Sequence, residues 1–267
     1  MPSRRVAIAT VRLVTALMLR GAVATDTGPV RAENEDSAFA SPRLVAVADG
    51  VGGAAAGEVA SGVVIDQLIL MDKCRLEARL DVALKRAVAS GNASVGFIAD
   101  CRPRMAGMST TLTAIALGED DYVIANLGDS RAYLLRDGEL TQLTRDDSYV
   151  QELLEIGAID TAEARRHPQR SVVLEALDGD PVRTPAIAGR PARIGDRLLL
   201  CSDGLSDFVD DDAIASALTI RSRQRCARKL VELALAAGGS DNVSVVVADV
   251  VHRDTEASGW LLRGSGT

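Results

Sequence analysis

Four aspartates are the residues whose type and position most favour metal chemistry in this sequence. Asp49, Asp129, Asp203 and Asp241 each adjoin a short apolar run, and such runs predict buried strands. Three of them also adjoin a glycine, such as Gly50 after Asp49, so a ligand can approach the backbone carbonyl without meeting a side chain. Carboxylate and carbonyl oxygens are the ligands that Mg²⁺ and Mn²⁺ prefer. Each aspartate alone is more typical of a turn, but together the four predict an all-oxygen metal site.

The composition excludes several other classes of site. The 267-residue chain contains 25 aspartates and 12 glutamates, but its only histidines are His167 and His252. Two imidazoles cannot build a three-histidine zinc centre or a histidine-rich binuclear site. With 47% hydrophobic residues and a net charge of −7, the chain has the composition of an ordinary globular protein. Its acidic charge and its seven aromatic residues disfavour nucleic acid as a partner.

The order of the predicted elements favours an α+β layered fold over a regular alternation of strands and helices. The Asp137-Gly138 step between two apolar runs predicts a tight hairpin, because both turn positions tolerate positive φ. Four prolines between residues 167 and 196 predict a loop or flap with at most one strand. Strands are predicted at 44–48, 110–117, 122–127, 131–135, 197–201 and 243–251, and helices at 55–71, 77–99, 148–166, 210–218 and 222–237.

No linker divides the chain, so a single domain is predicted over residues 19–252. Residues 1–18 are interpreted as a short extension that leads into a first strand, because two arginines interrupt the apolar stretch that a signal peptide would need. Residues 253–267 are predicted to form a polar tail, which contains the single tryptophan, Trp260. No later segment reaches the ~18 to 20 apolar residues that span a bilayer.

The four cysteines are too widely spaced for a Cys-x-x-Cys metal or redox motif. Without a secretory context, we interpret them as buried thiols of a reducing compartment. A cytoplasmic protein is therefore expected. The cysteines are Cys74, Cys101, Cys201 and Cys226.

Six short motifs follow one another along most of the chain. They are Asp26-x-Gly28-x-x-Arg31-x-x-Asn34-Glu35-Asp36, Ala48-Asp49-Gly50-Val51-Gly52-Gly53 with Gly57-Glu58, Ser109-Thr110-Thr111, Gly128-Asp129-Ser130-Arg131, Cys201-Ser202-Asp203-Gly204-Leu205-Ser206-Asp207 and Gly239-Ser240-Asp241-Asn242-Val243. In this order they resemble the bacterial-type protein phosphatase 2C family of metal-dependent serine/threonine phosphatases. Each motif alone is weak, whereas six in order from about residue 20 to residue 251 are specific. The resemblance implies a four-layer α-β-β-α sandwich, in which helices flank two antiparallel sheets.

The same resemblance implies a role for each of the four aspartates. The residue that matches Asp49 bridges two Mn²⁺ or Mg²⁺ ions in the family, and the carbonyl that matches Gly50 binds one of them. Residues that match Asp203 and Asp241 complete the other site. The residue that matches Asp129 is associated, together with the one that matches Asp203, with a third and weaker metal.

Further residues are assigned to substrate and water by the resemblance. The match to Arg31 grips the substrate phosphate, and the match to Asp36 orders metal-bound water. His167 and Arg170, in the proline-rich flap, are weaker candidates for substrate contact. Val51 stands where many eukaryotic relatives have a histidine that is credited as general acid, so that role stays unassigned.

The implied reaction is hydrolysis of phosphoserine and phosphothreonine by direct attack of a water that bridges the two metal ions. Such a water has a lowered pKa, and the two cations stabilise the oxyanions of in-line attack. An arginine can contact two phosphate oxygens at once, which a lysine cannot. The expected partners are phosphorylated proteins, including substrates of a bacterial serine/threonine kinase and the kinase itself, and the chain is expected to be a monomer.

Three other interpretations stay open on the sequence. A catalytically inactive, phosphatase-like module would bind phosphoproteins or a regulatory partner. The pattern Gly50-x-Gly52-x-x-Ala55 fits a dinucleotide fingerprint, although no acidic residue ends a second strand about 20 residues later. Asp178, in Asp178-Gly-Asp180, resembles the nucleophile of haloacid-dehalogenase-type phosphatases. Separately, Ser109 replaces a glycine that is usual in bacterial members, where we expect a packing effect only.

Overall fold

Two antiparallel sheets form the centre of the protein. The structure, a computed structural model, describes residues 17–51, 56–74 and 79–253 and the backbone of residues 261–264. The first sheet contains, in spatial order, β1 (Leu17–Asp26), β11 (Val243–His252), β10 (Arg197–Cys201), β7 (Arg131–Arg136) and β8 (Glu139–Gln142). The second contains β12 (Leu261–Gly264), β2 (Asp36–Ala40), β3 (Leu44–Val51), β5 (Leu112–Leu117), β6 (Asp121–Leu127) and β9 (Ala186–Pro191), and β4 (Ser109–Thr110) pairs with the end of β3.

Helices cover the outer face of each sheet. The second sheet packs against α1 (Gly57–Cys74) and α2 (Leu80–Cys101), and the first packs against α6 (Asp211–Leu218) and α7 (Arg223–Ala236). Three short helices lie in connections, namely α3 (Tyr149–Glu155), α4 (Thr161–Ala164) and α5 (Asp203–Ser206), and a 3₁₀ turn spans Pro103–Met105. The layers follow the order α-β-β-α, so the predicted fold class is confirmed.

The strand β3 shows why the central strands are apolar along their whole length. Leu44 and Ala46 pack against the helices α1 and α2, whereas Val45 and Val47 pack against the other sheet. Successive side chains of a strand point to opposite faces, and both faces of this sheet are covered. An uninterrupted apolar run therefore marks a strand in the middle of the four layers. β10 follows the same pattern in the first sheet.

The predicted hairpin is confirmed at the turn between β7 and β8. Arg136 pairs with Glu139 across the turn. The two residues between them, Asp137 and Gly138, have φ angles of 54° and 86°. Positive φ at both central positions is what a two-residue turn needs in order to match the twist of the flanking strands.

The single helix predicted over residues 148–166 is wrong, because the structure contains two short helices there. Gly157 adopts a left-handed φ of 69° directly after α3. Its N–H bonds to the carbonyl of Leu154, and the N–H of Ala158 bonds to the carbonyl of Leu153. This pairing is a Schellman motif, which satisfies the last carbonyls of α3 and ends it. Asp160 then caps α4 by accepting a hydrogen bond from Glu163.

The prediction of buried thiols holds for only two of the four cysteines. Cys201 and Cys226 are buried, and burial raises the pKa of the Cys226 thiol to about 11. Cys74 and Cys101 are exposed, because each is the last residue of its helix. All four are free thiols.

Both ends of the described chain add strands to the two sheets. β1 begins at Leu17, near the end of the predicted extension, and pairs along its whole length with β11. β12 lies within the predicted polar tail and pairs with β2, which the sequence does not predict. Residues 1–16 and Trp260 lie outside the described residues. In the part of the chain that the structure describes, no helix is long and apolar enough to cross a membrane.

Candidate active site

Four strand ends from the two sheets bring the predicted aspartates to one place. Asp49 lies near the end of β3 and Asp129 in the turn between β6 and β7. Asp203 lies two residues after the end of β10, and Asp241 precedes β11 by two residues. The carboxylate of Asp49 is repelled by all three others, which shows that they share one region. The structure therefore unites residues that are up to 192 positions apart (49 to 241).

Burial and mutual repulsion raise the pKa of these carboxyl groups. Burial is the largest cause of the raised pKa of Asp49 and Asp203, and repulsion between the carboxylates adds to it. Burial, followed by repulsion from Asp146 and Asp207, raises the pKa of Asp129 to about 7. At neutral pH the cluster therefore holds more negative charge than the protein alone stabilises, and protons or cations must compensate part of it.

The donor set fits hard divalent cations. Asp203 Oδ1 and Asp36 Oδ1 are buried and accept no hydrogen bond in the described part of the chain. The side chains of Asp49 and Asp203 stay partly open to solvent, so an ion can reach them. Among the described residues, no three His, Cys, Asp or Glu side chains form a cluster that would hold a metal ion by themselves. Water would therefore supply further ligands, as it commonly does around Mg²⁺ and Mn²⁺.

The glycine after Asp49 is required by close packing. The N–H of Gly50 donates a 3.2 Å hydrogen bond to the carbonyl of Glu35. A Cβ on Gly50 would overlap the backbone of Gly57, where α1 begins. Only glycine allows β3 and α1 to approach this closely.

The Ser-Thr-Thr motif holds the backbone of Asp49. Thr110 Oγ1 donates a hydrogen bond of 2.9 Å to the Asp49 carbonyl, which also accepts one of 2.9 Å from the N–H of Thr111. Thr111 Oγ1 in turn accepts from the N–H of Asp49 at 3.1 Å. Ser109 Oγ donates to the carbonyl of Val51 at 2.9 Å, which agrees with the packing role expected for this serine.

Asp36 lies opposite Asp49 in the pairing of β2 with β3. It is completely buried, and its Oδ2 accepts a 2.8 Å hydrogen bond from Ser202 Oγ. Burial raises the pKa of Asp36 to about 6, against the effect of the Ser202 hydrogen bond, which lowers it. Its other oxygen, Oδ1, has no partner among the described residues and can accept a hydrogen bond from a water in the site.

Arg31 lies at the exposed rim of the cluster. Its Nη2 donates a 2.8 Å hydrogen bond to Asp241 Oδ2, and 44% of the side chain is exposed. The hydrogen bond to Asp241 is the largest cause of its raised pKa, and Glu35 and Asp49 raise it further. The guanidinium is thus a permanent cation beside the carboxylates, with donors left to bind an incoming anion.

The two flap candidates differ in what they reach. Arg170 Nε lies 3.5 Å from Asp207 Oδ2, and its guanidinium carbon is 5.9 Å from the centroid of the Phe208 ring. Asp207 directly follows α5 and contributes to the raised pKa of Asp203. The ring of His167 instead lies 5.9 Å from that of Tyr149, and its Nδ1 accepts a hydrogen bond from the N–H of Gln169. The structure therefore brings Arg170, and not His167, toward the aspartates.

Hydrogen bonds attach the flap beside Asp129. The N–H of Leu174 donates to the carbonyl of Asp147 at 2.8 Å. Asp147 in turn pairs with Gly128, by one hydrogen bond from its own N–H at 2.9 Å and one accepted by Oδ2 at 3.0 Å. Arg170 is therefore held on a segment that is anchored next to the cluster.

Several residues of the site were not assigned a role from the sequence. Ser202, Asp207 and Asn242 stand inside the six motifs. Their positions next to the predicted aspartates in the sequence could have indicated that they belong to the site. Asp146 lies outside all six motifs. It pairs with Arg131 at 2.6 Å and repels Asp129, and only the folded structure reveals this.

The alternative nucleophile Asp178 lies in an exposed turn. Its Oδ1 accepts a 2.9 Å hydrogen bond from the N–H of Asp180, as an aspartate in an Asx turn does. The glycine pattern of the dinucleotide interpretation falls partly on residues 52–55, which lie outside the described residues.

Comparison with known proteins identifies relatives along most of the chain. A family profile described as protein phosphatase 2C matches residues 33–236. The serine/threonine protein phosphatase PstP of Mycobacterium tuberculosis is 50% identical over 249 residues, which cover 93% of this chain. The serine/threonine phosphatase Stp of Listeria monocytogenes is 34% identical over 248 residues, which cover 88% of this chain.

A solved structure agrees with the fold as well. The crystal structure of the catalytic domain of PstP in complex with two manganese ions superposes with a TM-score of 0.83 at 49% identity. The match covers 88% of this chain and all of that domain. The chain spans about half (48%) of the full-length mycobacterial relative, whereas it spans 98% of the Listeria protein. The profile and these relatives together establish that the chain belongs to the protein phosphatase 2C family.

Proposed function

We propose that this chain is a metal-dependent serine/threonine protein phosphatase. The observation that carries the proposal is the cluster of Asp49, Asp203 and Asp241, with an unpartnered carboxylate oxygen on Asp203 and the guanidinium of Arg31 beside it. A cluster of acidic groups next to an exposed arginine suits cations together with a phosphate monoester. The family, and the two manganese ions in the crystal structure of the PstP catalytic domain, support the same proposal.

Two Mn²⁺ or Mg²⁺ ions would be held by oxygen ligands of the cluster. We assign Asp49 to both metal sites and the Gly50 carbonyl to one of them. Asp203 and Asp241 would complete the other site, as the family resemblance implies. Asp129, together with Asp203, would hold a weaker third ion. When bound, the cations would supply an activated water as nucleophile and would stabilise the charge of the phosphoryl group.

The remaining residues bind and orient. Arg31 would bind two phosphate oxygens through its guanidinium, because it is exposed and carries more donors than Asp241 uses. Asp36 would orient a water in the site through its unpartnered Oδ1. Arg170 would approach the substrate from the flap, on the side of Asp207. No described side chain is assigned as general acid.

The substrates in this proposal are phosphorylated proteins, namely the targets of a bacterial-type serine/threonine kinase and the kinase itself. We place the catalytic unit at the predicted residues 19–252, to which β1 adds Leu17 and Met18 and β12 of the tail adds a strand. The enzyme would act as a monomer in the cytoplasm, a reducing compartment that suits its free thiols.

Hydrolysis of a phosphothreonine peptide tests the proposal. Activity is expected in Mn²⁺, and it is expected to disappear when a chelator is added or in an Asp203→Asn variant. Asp178→Asn is the matched control, because it removes the same charge from an exposed turn and should leave activity unchanged.

Each outcome distinguishes the proposal from an alternative. Activity that survives both chelation and Asp203→Asn would contradict it. Loss of activity in Asp178→Asn, with phosphate trapped on the wild-type residue, would favour the dehalogenase-type mechanism. A wild-type protein that binds a phosphoprotein in Mn²⁺ without hydrolysing it would favour an inactive binding module.

A further inference from the structure

Asn242 uses every hydrogen-bonding group of its side-chain amide to hold one loop. Its Nδ2 donates to the carbonyl of Thr27 at 2.9 Å and to that of Glu33 at 3.0 Å. Its Oδ1 accepts from the N–H of Glu35 at 2.9 Å. The side chain is 4% exposed, so water does not compete for these bonds. One buried amide therefore fixes both ends of the segment 27–35.

The segment between these attachment points carries Arg31. Residues 29–33 are all exposed, so no apolar core holds this part of the chain in place. Another close contact near the start of the segment is made at Gly28, whose φ is 76°. A Cβ on Gly28 would overlap the carbonyl oxygen of Asp241. Asn242 and the packing at Gly28 thus help to set the position of the exposed part, while Asn34 and Glu35 at its end make further hydrogen bonds with Thr25, Ser61 and Gly50.

Asp241, the residue before Asn242, is the one that Arg31 contacts. Asp241 Oδ1 accepts a 2.8 Å hydrogen bond from the N–H of Asn242, and its Oδ2 accepts from Arg31 at 2.8 Å. Adjacent residues of one strand end therefore hold the loop and face the guanidinium. This arrangement ties the loop that carries Arg31 to the same strand end that carries Asp241.

We infer that Asn242 is a positioning residue for phosphate recognition: it holds segment 27–35 so that the Arg31 guanidinium stands beside Asp241. The inference rests on the proposed function, in which Arg31 binds the substrate phosphate. Asn242 touches neither substrate nor reacting atoms in this account. Its loss would free an exposed loop and weaken phosphate binding through Arg31.

Kinetics of Asn242→Ala in saturating Mn²⁺ test the inference. We expect the KM for a phosphothreonine peptide and the inhibition constant of inorganic phosphate to rise together by roughly tenfold, with a smaller change in kcat. Asn92→Ala is the matched control. Asn92 is 3% exposed, and its amide holds a different loop through Gly179 and Asp180, at 2.7 Å each. It should lose stability without changing the inhibition constant of phosphate.

A double variant separates positioning from general destabilisation. If Asn242 acts through Arg31, then Asn242→Ala should change kcat/KM by less than about twofold in an Arg31→Ala background. The inference would be overturned if the effects of the two substitutions on kcat/KM multiply. It would also be overturned if the single Asn242→Ala variant has the KM and the phosphate inhibition of the wild type. If Asn242→Ala does not fold, Gly28→Ala displaces the same loop by pushing it away from the Asp241 carbonyl, and the same changes are expected.

The test also works if the proposed function fails. A wild-type protein that hydrolyses no phosphopeptide in Mn²⁺ would remove the proposed function. Calorimetric titration with inorganic phosphate in the presence of Mn²⁺ would then test whether Asn242 positions Arg31 for phosphate binding. Tighter phosphate binding by the wild type than by Asn242→Ala supports this positioning role. Equal binding, or no binding by the wild type, overturns it.

Discussion

The Arg31 guanidinium donates a 2.8 Å hydrogen bond to the carboxylate of Asp241, a residue 210 positions later in the chain. A cation that would bind phosphate is therefore held by a carboxylate that would bind metal. The two groups share one position at the rim of the site, where Arg31 would attract the phosphate anion and Asp241 would attract a metal cation.

Replacing Arg31 by alanine should weaken phosphate recognition. Because a charge-assisted hydrogen bond contributes about 1.5 to 3 kcal/mol, we expect kcat/KM for a phosphothreonine peptide to fall roughly 10- to 150-fold, mainly through KM. Steady-state kinetics in Mn²⁺ measure this change. Arg79→Ala is the control, since Arg79 forms an exposed ion pair with Asp81, and it should keep the wild-type kinetics. An Arg31→Ala enzyme with unchanged KM would show that phosphate binds elsewhere.

The metal-free protein should lose stability as the pH rises. The pKa values of Asp36 and Asp129 are raised from 3.8 to about 6 and about 7 in the folded state. The folded state therefore binds more protons than the unfolded state, and the free energy of unfolding should fall as the pH rises from about 4 to about 7. Thermal unfolding in a chelator at a series of pH values measures this slope.

Mn²⁺ should reverse that loss. At about 100 times its Kd, a bound ion adds about 2.7 kcal/mol per site, or roughly 5 to 10 °C in Tm for a domain of this size. The Tm difference between Mn²⁺ and chelator should grow with pH. An Asp129→Asn variant should unfold at a higher Tm than the wild type in chelator near neutral pH, because one repelling carboxylate is removed. A wild-type Tm that rises with pH in chelator would contradict this interpretation.

Gly204→Ala should separate two of the aspartate-bearing segments. A Cβ on Gly204, next to Asp203, would overlap the backbone carbonyl of Asn242. Overpacking of this kind costs about 1 to 3 kcal/mol, so we expect lower stability in urea and weaker Mn²⁺ binding in calorimetry.

Gly62 provides the matched control for this substitution. It lies in α1, and a Cβ there would meet nothing within 4 Å. Gly62→Ala should stabilise the protein by about 0.5 to 1 kcal/mol, because alanine loses less backbone entropy than glycine in a helix. Two Gly→Ala variants of equal stability would argue against the close contact at Gly204.

Asp196→Asn should destabilise the fold at neutral pH without affecting the site. The side chain of Asp196 is 1% exposed. It accepts one hydrogen bond from the Tyr122 hydroxyl and two from the Arg136 guanidinium, the latter at 2.6 and 2.7 Å. Breaking a buried ion pair leaves an unpaired charge, so we expect a loss of about 3 kcal/mol in urea unfolding. KM should stay unchanged.

The pH dependence of this loss has a defined sign. Hydrogen bonds from Arg136 and Tyr122 outweigh burial and lower the pKa of Asp196 below 3.8. Its contribution to stability is therefore complete above that value and is lost as the pH falls through the lowered pKa. The difference in the free energy of unfolding between the wild type and Asp196→Asn should persist from about pH 8 to about pH 5 and shrink at lower pH. Asp81→Asn, in an exposed ion pair, should show no such difference.

Local features of the chain were sufficient for the hairpin and for the central strands β3, β5, β6, β7, β10 and β11, but not for β2 or β12. An apolar run marks a strand covered on both faces, and the Asp137-Gly138 step requires only two residues with positive φ. The helix break at Gly157 was missed, because a glycine in a helical pattern is compatible with both continuation and a C-terminal cap. The solvent exposure of Cys74 was missed as well, since position at a helix end is not encoded in residue type.

The pairings that complete the site depend on tertiary structure alone. Ser202 meets Asp36 from 166 positions away, and Asn242 holds a loop more than 200 positions earlier in the chain. Propensity and pattern act over a few neighbouring residues, so they place an aspartate at the end of a strand but do not state which loop packs beside it. That choice is made when the two sheets pack on each other, because the contact of their apolar inner faces sets which strand ends meet.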